Sequence, residues 1–350
     1  LSRELLAAET KTGINFLITN GQIIMPVISH NFDLPFNILR VSYADIGVTN
    51  VDASASFYLD TLGLIETEET SDAIYLRCLE ERQHHSYILR KTGNPKVFAI
   101  GFKVSKEDDL NAIKIHLDNL GLNTNWIKKY AQGRTLSVQS PEGICLEFYY
   151  SMTQAPRMLQ NYGAYRGVQP QRFDHVNFFT PDAQATYEFF VRELGFRVTE
   201  YTETEDGDMW AAWVHRKGGV HDVAFTNGAG PRLHHTAIWV PNALNIIHLC
   251  DVMATTGFLE NIERGPGRHG ISNAFFLYIR DPDGHRVEIY TSDYLTVDTD
   301  IEPIRWDLRD PQRQTLWGHA APQSWFTEGS VFNEVPVKDS KLKARPIIAG

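Results

Sequence analysis

Two imidazoles stand side by side in "RLHHTAIWV", residues 232–240, at the start of an apolar run rich in strand-forming residues. Imidazole binds metals, and its ordinary pKa suits it to move protons near neutrality. Neighbouring side chains on a regular strand point to opposite faces, so His234 and His235 are not expected to enter one pocket together. The pair alone does not say which of them does chemistry. A third histidine, His175 in "FDHVNFF", and a carboxylate, Glu288 in "VEIY", lie on two other strand-like runs. Two neutral imidazoles and one carboxylate can occupy one face of an octahedral ion and leave positions open. That arrangement serves non-haem Fe(II) chemistry with oxygen, and Mn(II) is close enough to substitute. The spacing makes no local metal motif, so the fold must bring these strands together.

The elements that would do so occur twice. "YADIGVTNVDASASFYLDTLGLIETE", from Tyr43, parallels "HVNFFTPDAQATYEFFVRELGFRVTE", from His175: an alternating apolar run, a turn, an amphipathic helix and Leu-Gly before a second strand. "SPEGICLEFYY" (140–150) likewise parallels "DPDGHRVEIYT" (281–291), with an acidic residue at the same step. Within each copy a strand–helix–strand–strand–strand pattern recurs, which predicts an α+β fold of paired βαβββ modules whose sheets curl around a cavity. In the second copy, helices are expected near Ala183–Glu193 and over "ALNIIHLCDVMATTG". The expected organisation is an N-terminal extension (1–38), a first domain without a metal site (39–154), a linker (155–170), a catalytic domain (171–294) and a C-terminal lid or tail (295–350).

Duplication supplies an internal control. Tyr43 stands at the position of His175 and Ala99 at that of His235, whereas Glu147 matches Glu288. A role in building the fold would not call for imidazoles in one copy only, so the chemistry is expected in the second.

Bulk properties narrow the class. Of 350 residues 43% are hydrophobic and 22% charged, as in a globular protein with room for two domains. A formal net charge of -10, from 33 Lys+Arg and 43 Asp+Glu, disfavours nucleic acid or an anionic membrane as partner. Three separated cysteines, Cys78, Cys145 and Cys250, point to thiols in a reducing compartment, and no run reads as a signal peptide or a bilayer span. A cytoplasmic protein is expected.

"FDHVNFFTPD", "VHDVAFTNGAGPRLHHTAIWV" and "RGPGRHGISNAFFLYIRDPDGHRVEIYTSDY" resemble the type I extradiol catechol dioxygenases of the vicinal oxygen chelate superfamily, most closely those that cleave homoprotocatechuate (3,4-dihydroxyphenylacetate). The resemblance spans roughly residues 39–330. It implies two tandem vicinal oxygen chelate domains, a homo-oligomer (a tetramer in many members) and a non-haem metal, Fe(II) or Mn(II), held by His175, His235 and Glu288. His234 would then face the opposite way, as a packing or hydrogen-bonding residue. The resemblance further assigns His221 to acid/base work beside bound oxygen and Tyr278 to the substrate's metal-bound oxygen. Asn177 would line the oxygen side, His269 would contact substrate, and Trp213 and Trp325 would form pocket wall and lid. Arg264, with Arg313, would hold a substrate carboxylate. The implied reaction inserts both atoms of O2 into a catechol beside its two hydroxyls, giving a muconic semialdehyde.

One departure bears on the substrate: where the family's lid segment has Gln-Arg-Arg, this chain reads Gln312-Arg313-Gln314. One guanidinium fewer makes a neutral, alkyl- or otherwise substituted catechol the alternative. A 4-hydroxyphenylpyruvate dioxygenase-type oxygenase has a similar length and ligand set, but the "RGPGRHG" motif does not resemble that group. A metal-free binding protein of the same fold would not need all three ligands together with His221 and Tyr278.

Overall fold

The strand-forming runs of the two copies build two sheets with the same internal order. The structure is a computed structural model that describes residues 33–348 and, ahead of them, the backbone of three short paired strands, Ala7–Glu9, Asn15–Thr19 and Gln22–Ile23. The rest of the expected N-terminal extension up to residue 32 lies outside the described residues.

In the first sheet the strands run Ile65–Glu69, Ala73–Arg77, Tyr87–Lys91, Ile38–Val48, Lys96–Val104, Cys145–Tyr149, Thr135–Gln139 and Asn125–Ile127. The second repeats this as Arg197–Glu203, Met209–His215, Val223–Asn227, Arg172–Thr180, Arg232–Trp239, Arg286–Thr291, Phe275–Arg280 and Ile262–Arg268. The C-terminal segment extends that sheet with Ile304–Asp307 at one edge and adds Ser330–Val331 beside Arg232–Trp239. The fold is α+β with two curled sheets, as the duplicated pattern predicts.

The helices begin and end where the repeated punctuation stands. The Asn50 side chain accepts from the Ala53 amide at 3.1 Å, and Asp182 does the same for Ala185 at 3.0 Å. Each satisfies a backbone donor that the first turn leaves without a partner. The Leu-Gly steps close these helices: Gly63 is left-handed, and a Cβ there would lie 2.1 Å from the Arg166 carbonyl oxygen. The chain departs from expectation in the second half of each helix, Ser56–Leu62 and Phe189–Glu193, which widens into π geometry in both copies. Between the sheets, Phe102 packs at 6.3 and 6.0 Å from Phe190 and Phe196, joining both halves in one apolar core.

Two β-bulges interrupt the central pair Arg172–Thr180 and Arg232–Trp239. Phe173 faces Ile238 and His175 faces Ala237, so Asp174 is extra; Asn177 faces His235 and Phe178 faces Leu233, so His234 is extra. A bulge leaves one residue unpaired and re-aims its side chain. Both extra residues immediately precede a candidate ligand histidine.

Cys78, Cys145 and Cys250 are free thiols. Among the described residues no helix is long and apolar enough to cross a membrane.

Candidate functional site

His175 and Glu288 sit on strands that both neighbour Arg232–Trp239, the strand of His235. All three are buried, and their ligand atoms lie within 4.8 Å of one another. The Glu288 Oε2 atom is 2.9 Å from His175 Nε2 and 3.2 Å from His235 Nε2. What makes this a candidate cation site is the state of the other ring nitrogens.

His234 Nε2 lies 2.9 Å from the carbonyl oxygen of Trp325. A carbonyl only accepts, so this nitrogen carries the proton. With His234 neutral, its Nδ1 is then an acceptor, 2.7 Å from Nδ1 of His235, which must donate. The His235 Nε2 is left with a lone pair directed at Glu288. On the other side, His175 Nδ1 is 3.1 Å from Asp174 Oδ2 and donates to it. Asp174 itself is held by the Tyr290 hydroxyl, by Arg172 at 3.0 Å and by Lys217 at 3.3 Å. Two imidazole lone pairs and a carboxylate thus converge on one point, an arrangement that repels unless a proton or a cation bridges it. The donor set suits a non-haem divalent metal, and neighbours that orient its histidines in this way are the usual support for such ligands. Burial would raise the Glu288 carboxyl, but a proton shared with His175 or His235, standing where a cation would, holds it well below the usual range. Burial also pushes His235 down to about 4, against the pull of Glu288.

This geometry corrects one expectation. His234 does not point to the opposite face: the bulge turns it to the same side, its ring 4.9 Å from that of His235, and both line one cavity.

That cavity is also lined by Asn177, Trp213, His221, Arg264, His269, Tyr278, Arg313 and Trp325, along with His175, His235 and Glu288. His221 lies against His175, ring centres 3.9 Å apart, and Tyr278 lies against His235 at 5.3 Å, so the two flank opposite ligands. Burial, with His175 and Lys217 nearby, depresses the His221 pKa strongly. His269 Nδ1 donates to the Gln314 carbonyl, so its Nε2 accepts from the Tyr278 hydroxyl at 2.9 Å. The tyrosine oxygen keeps its lone pairs for a ligand. Burial, and then the charge of Glu288, raises the Tyr278 pKa well above its ordinary value, so it is a neutral phenol.

Trp325 closes the cavity from the C-terminal segment, 4.3 Å from the Tyr278 ring and 4.6 Å from the Arg264 guanidinium. Glu263 anchors this segment by accepting from Ser324 at 2.7 Å while paired with Arg280 and Arg286. Arg264 and Arg313 are 3% and 1% exposed. Arg264 Nη2 donates to the Gln314 carbonyl and to Thr315, but its Nε and Nη1 have no partner, nor have Nε and Nη2 of Arg313. Among the described residues neither pairs with a carboxylate. Burial lowers Arg264 to about 10 and Arg313 to about 9, which leaves both charged at neutral pH.

Asp174, His234 and Lys217 were not among the expected site residues. The only sequence signal for the first two is their place immediately before His175 and His235. Phe179, Trp210, Thr226, Ile271, Ser272, Gln314 and Phe326 complete the wall.

Residues 172–289 match the family model described as the Glyoxalase/Bleomycin resistance protein/Dioxygenase superfamily. The manganese-dependent 2,3-dihydroxybiphenyl 1,2-dioxygenase of Geobacillus genomosp. 3 is 32% identical, over 80% of this chain and 93% of its own. A metapyrocatechase of Geobacillus stearothermophilus is 27% identical over 87% and 97%. Among solved structures, the anaerobic complex of homoprotocatechuate 2,3-dioxygenase from Brevibacterium fuscum with 3,4-dihydroxyphenylacetate superposes with a TM-score of 0.83. It is 41% identical, and the match covers 90% of this chain and 98% of that one.

Proposed function

The chain belongs to the extradiol ring-cleaving dioxygenases of the vicinal oxygen chelate superfamily, metal-dependent enzymes that open catechols, and from that premise we propose that it cleaves a catechol bearing an anionic side chain, best represented by 3,4-dihydroxyphenylacetate. The observation that carries this reading is the pair of buried guanidiniums, Arg264 and Arg313, with unpartnered N–H groups on the cavity wall. A buried charge without a counterion is costly, and a ligand carboxylate would relieve that cost at both residues. The Brevibacterium fuscum protein binds 3,4-dihydroxyphenylacetate in a homologous fold. Gln314 is one guanidinium fewer than the family pattern, yet its backbone carbonyl orients both Arg264 and His269.

In this reading His175, His235 and Glu288 hold the metal, Fe(II) with Mn(II) also accepted, since both suit this donor set. A metal held there would act as a Lewis acid toward the catechol and couple it electronically to O2. Tyr278, its proton directed to His269, offers lone pairs to a protonated catechol oxygen. His221 and Asn177 flank the opposite side, where His221, a neutral base by burial, can take a proton from the catechol and return it during ring opening. Trp213 and Trp325 enclose the ring and exclude bulk water. The functional halves would be residues 39–154, without metal, and 171–294, catalytic, with 295–350 as the lid.

A neutral catechol is the second reading, favoured by the apolar walls Phe179, Trp213 and Trp325 and by the 2,3-dihydroxybiphenyl in one relative's name. The test is a panel of 3,4-dihydroxyphenylacetate, 4-methylcatechol and 2,3-dihydroxybiphenyl. Each is added anaerobically to metal-loaded enzyme and then exposed to air, and the yellow ring-opened product is followed. A higher kcat/KM for the acid supports the proposal; equal or higher values for the neutral catechols overturn it.

A further inference from the structure

The first half contains the counterpart of the metal-site cavity, and register shows what fills it. Tyr43 pairs opposite Gly101, as His175 pairs opposite Ala237, and Glu147 lies beside Gly101 as Glu288 lies beside Ala237. Asp45 stands opposite Ala99, as Asn177 stands opposite His235. His85 precedes Tyr87 by two residues, as His221 precedes Val223, and those two are partners of Ala44 and Val176 on the equivalent strands. Both ligand imidazoles are therefore replaced, but the ligand carboxylate remains as Glu147 and a second carboxylate, Asp45, has replaced an amide.

Two carboxylates buried this deeply need a cation. It comes from Lys129, just past the strand Asn125–Ile127. Its ammonium lies 2.6 Å from Asp45 Oδ2 and 2.8 Å from Glu147 Oε2, with its side chain 6% exposed. It also sits 5.3 Å from the centre of the Tyr43 ring, whose hydroxyl donates to Glu147. Arg90 grips Asp45 through bonds of 2.6 Å to Oδ1 and 2.9 Å to the Oδ2 that Lys129 also contacts, so two positive groups balance two negative ones. Burial opposes the charges of Asp45, Lys129 and Arg90. Even so, the Asp45 carboxyl is held below and the Lys129 ammonium above its ordinary range by their mutual attraction.

We propose that the first half carries a built-in cation centre, in which the Lys129 ammonium bridges Asp45 and Glu147 at the counterpart of the metal position, so that this half needs no metal and keeps an alkylammonium-binding site that its own lysine fills. The donors distinguish the two centres: carboxylates and a phenol around an ammonium here, and paired imidazoles with one carboxylate in the second half.

The test removes the lysine and offers the lost group back. In full-length, metal-loaded enzyme, Lys129→Ala deletes what n-propylammonium can restore. Losing one partner of a buried ionic cluster is expected to lower the melting temperature by roughly 5 °C. Millimolar n-propylammonium should recover much of that drop saturably, while tetramethylammonium and sodium at equal ionic strength should not, and the wild type should not respond. Lys129→Met, whose side chain keeps the space filled, should fall similarly but gain nothing from the amine. A Lys129→Ala protein that melts with the wild type overturns the proposal, as does one that n-propylammonium stabilises no more than sodium. Should Lys129→Ala not fold, Glu147→Gln added to it removes the unbalanced charge and leaves Asp45 paired with Arg90. Recovery of folded protein then supports the cation role, and failure to recover overturns it.

Discussion

Replacing His234 by phenylalanine tests how this chain prepares the proposed metal site without touching a proposed ligand. The substitution removes the acceptor 2.7 Å from His235 Nδ1 and the donor that the Trp325 carbonyl holds at 2.9 Å. The His235 Nδ1–H is then buried without a partner, at a cost of about 1–3 kcal/mol. The ring can escape that cost by moving its proton to Nε2, which destroys the lone pair aimed at the metal. Each route lowers metal affinity, by about 10–100-fold if the loss follows other groups that orient metal-bound histidines. His234→Gln should recover most of it, because an amide offers an oxygen to accept and an N–H to donate. The assay is Mn(II) or Fe(II) affinity by chelator competition on the three full-length proteins, with melting temperature measured alongside. Wild-type affinity in His234→Phe, or losses in His234→Gln as large as in His234→Phe, would refute the reasoning.

Other outcomes follow from the same geometry. His175→Ala, His235→Ala and Glu288→Ala should each fail to retain metal through gel filtration, as measured by elemental analysis. His221→Phe should retain metal and catechol but slow ring opening by about 10²–10⁴-fold in single-turnover experiments; an unchanged rate would remove His221 from the proton path. Burial alone would raise the Glu263 carboxyl, but hydrogen bonds from Arg286 and Arg280 outweigh it and pull it down from 4.5 to about 2. A carboxyl depressed in the folded state stabilises above its unfolded pKa and loses that contribution as pH falls through the folded one. Acid melts of the wild type should therefore lose up to about 3 kcal/mol between pH 5 and 2 that Glu263→Gln, already without it, does not lose.

Much of the architecture could be read from residue order, because its signals are local. Alternating apolar runs, the Asn50 and Asp182 caps and the Leu-Gly stops recur in both copies, and both sheets follow the same strand order. The absence of imidazoles at Tyr43 and Ala99 also sets the second copy apart. What was not legible depends on pairing. A bulge shifts a strand by one residue, and nothing in "HHTAIWV" or "FDHVNFF" reveals the partner against which that shift is measured. Strand alternation therefore sent His234 to the wrong face and left Asp174 unnoticed. The open N–H groups of Arg264 and Arg313 were equally hidden, since a sequence does not show which carboxylates an arginine fails to meet. Lys129 lies in an ordinary basic turn, "IKKY", and only the folded chain brings its ammonium between Asp45 and Glu147.

The proposed substrate class is tested most directly by comparing kcat/KM for 3,4-dihydroxyphenylacetate and 4-methylcatechol in the wild type and in Arg264→Leu. A hydrogen bond to a charged group contributes about 1.5–3 kcal/mol, so the variant should lose roughly 10- to 150-fold on the acid and little on the methylcatechol. A wild-type enzyme that prefers methylcatechol, or equal losses on both substrates in the variant, would contradict the carboxylate role of Arg264.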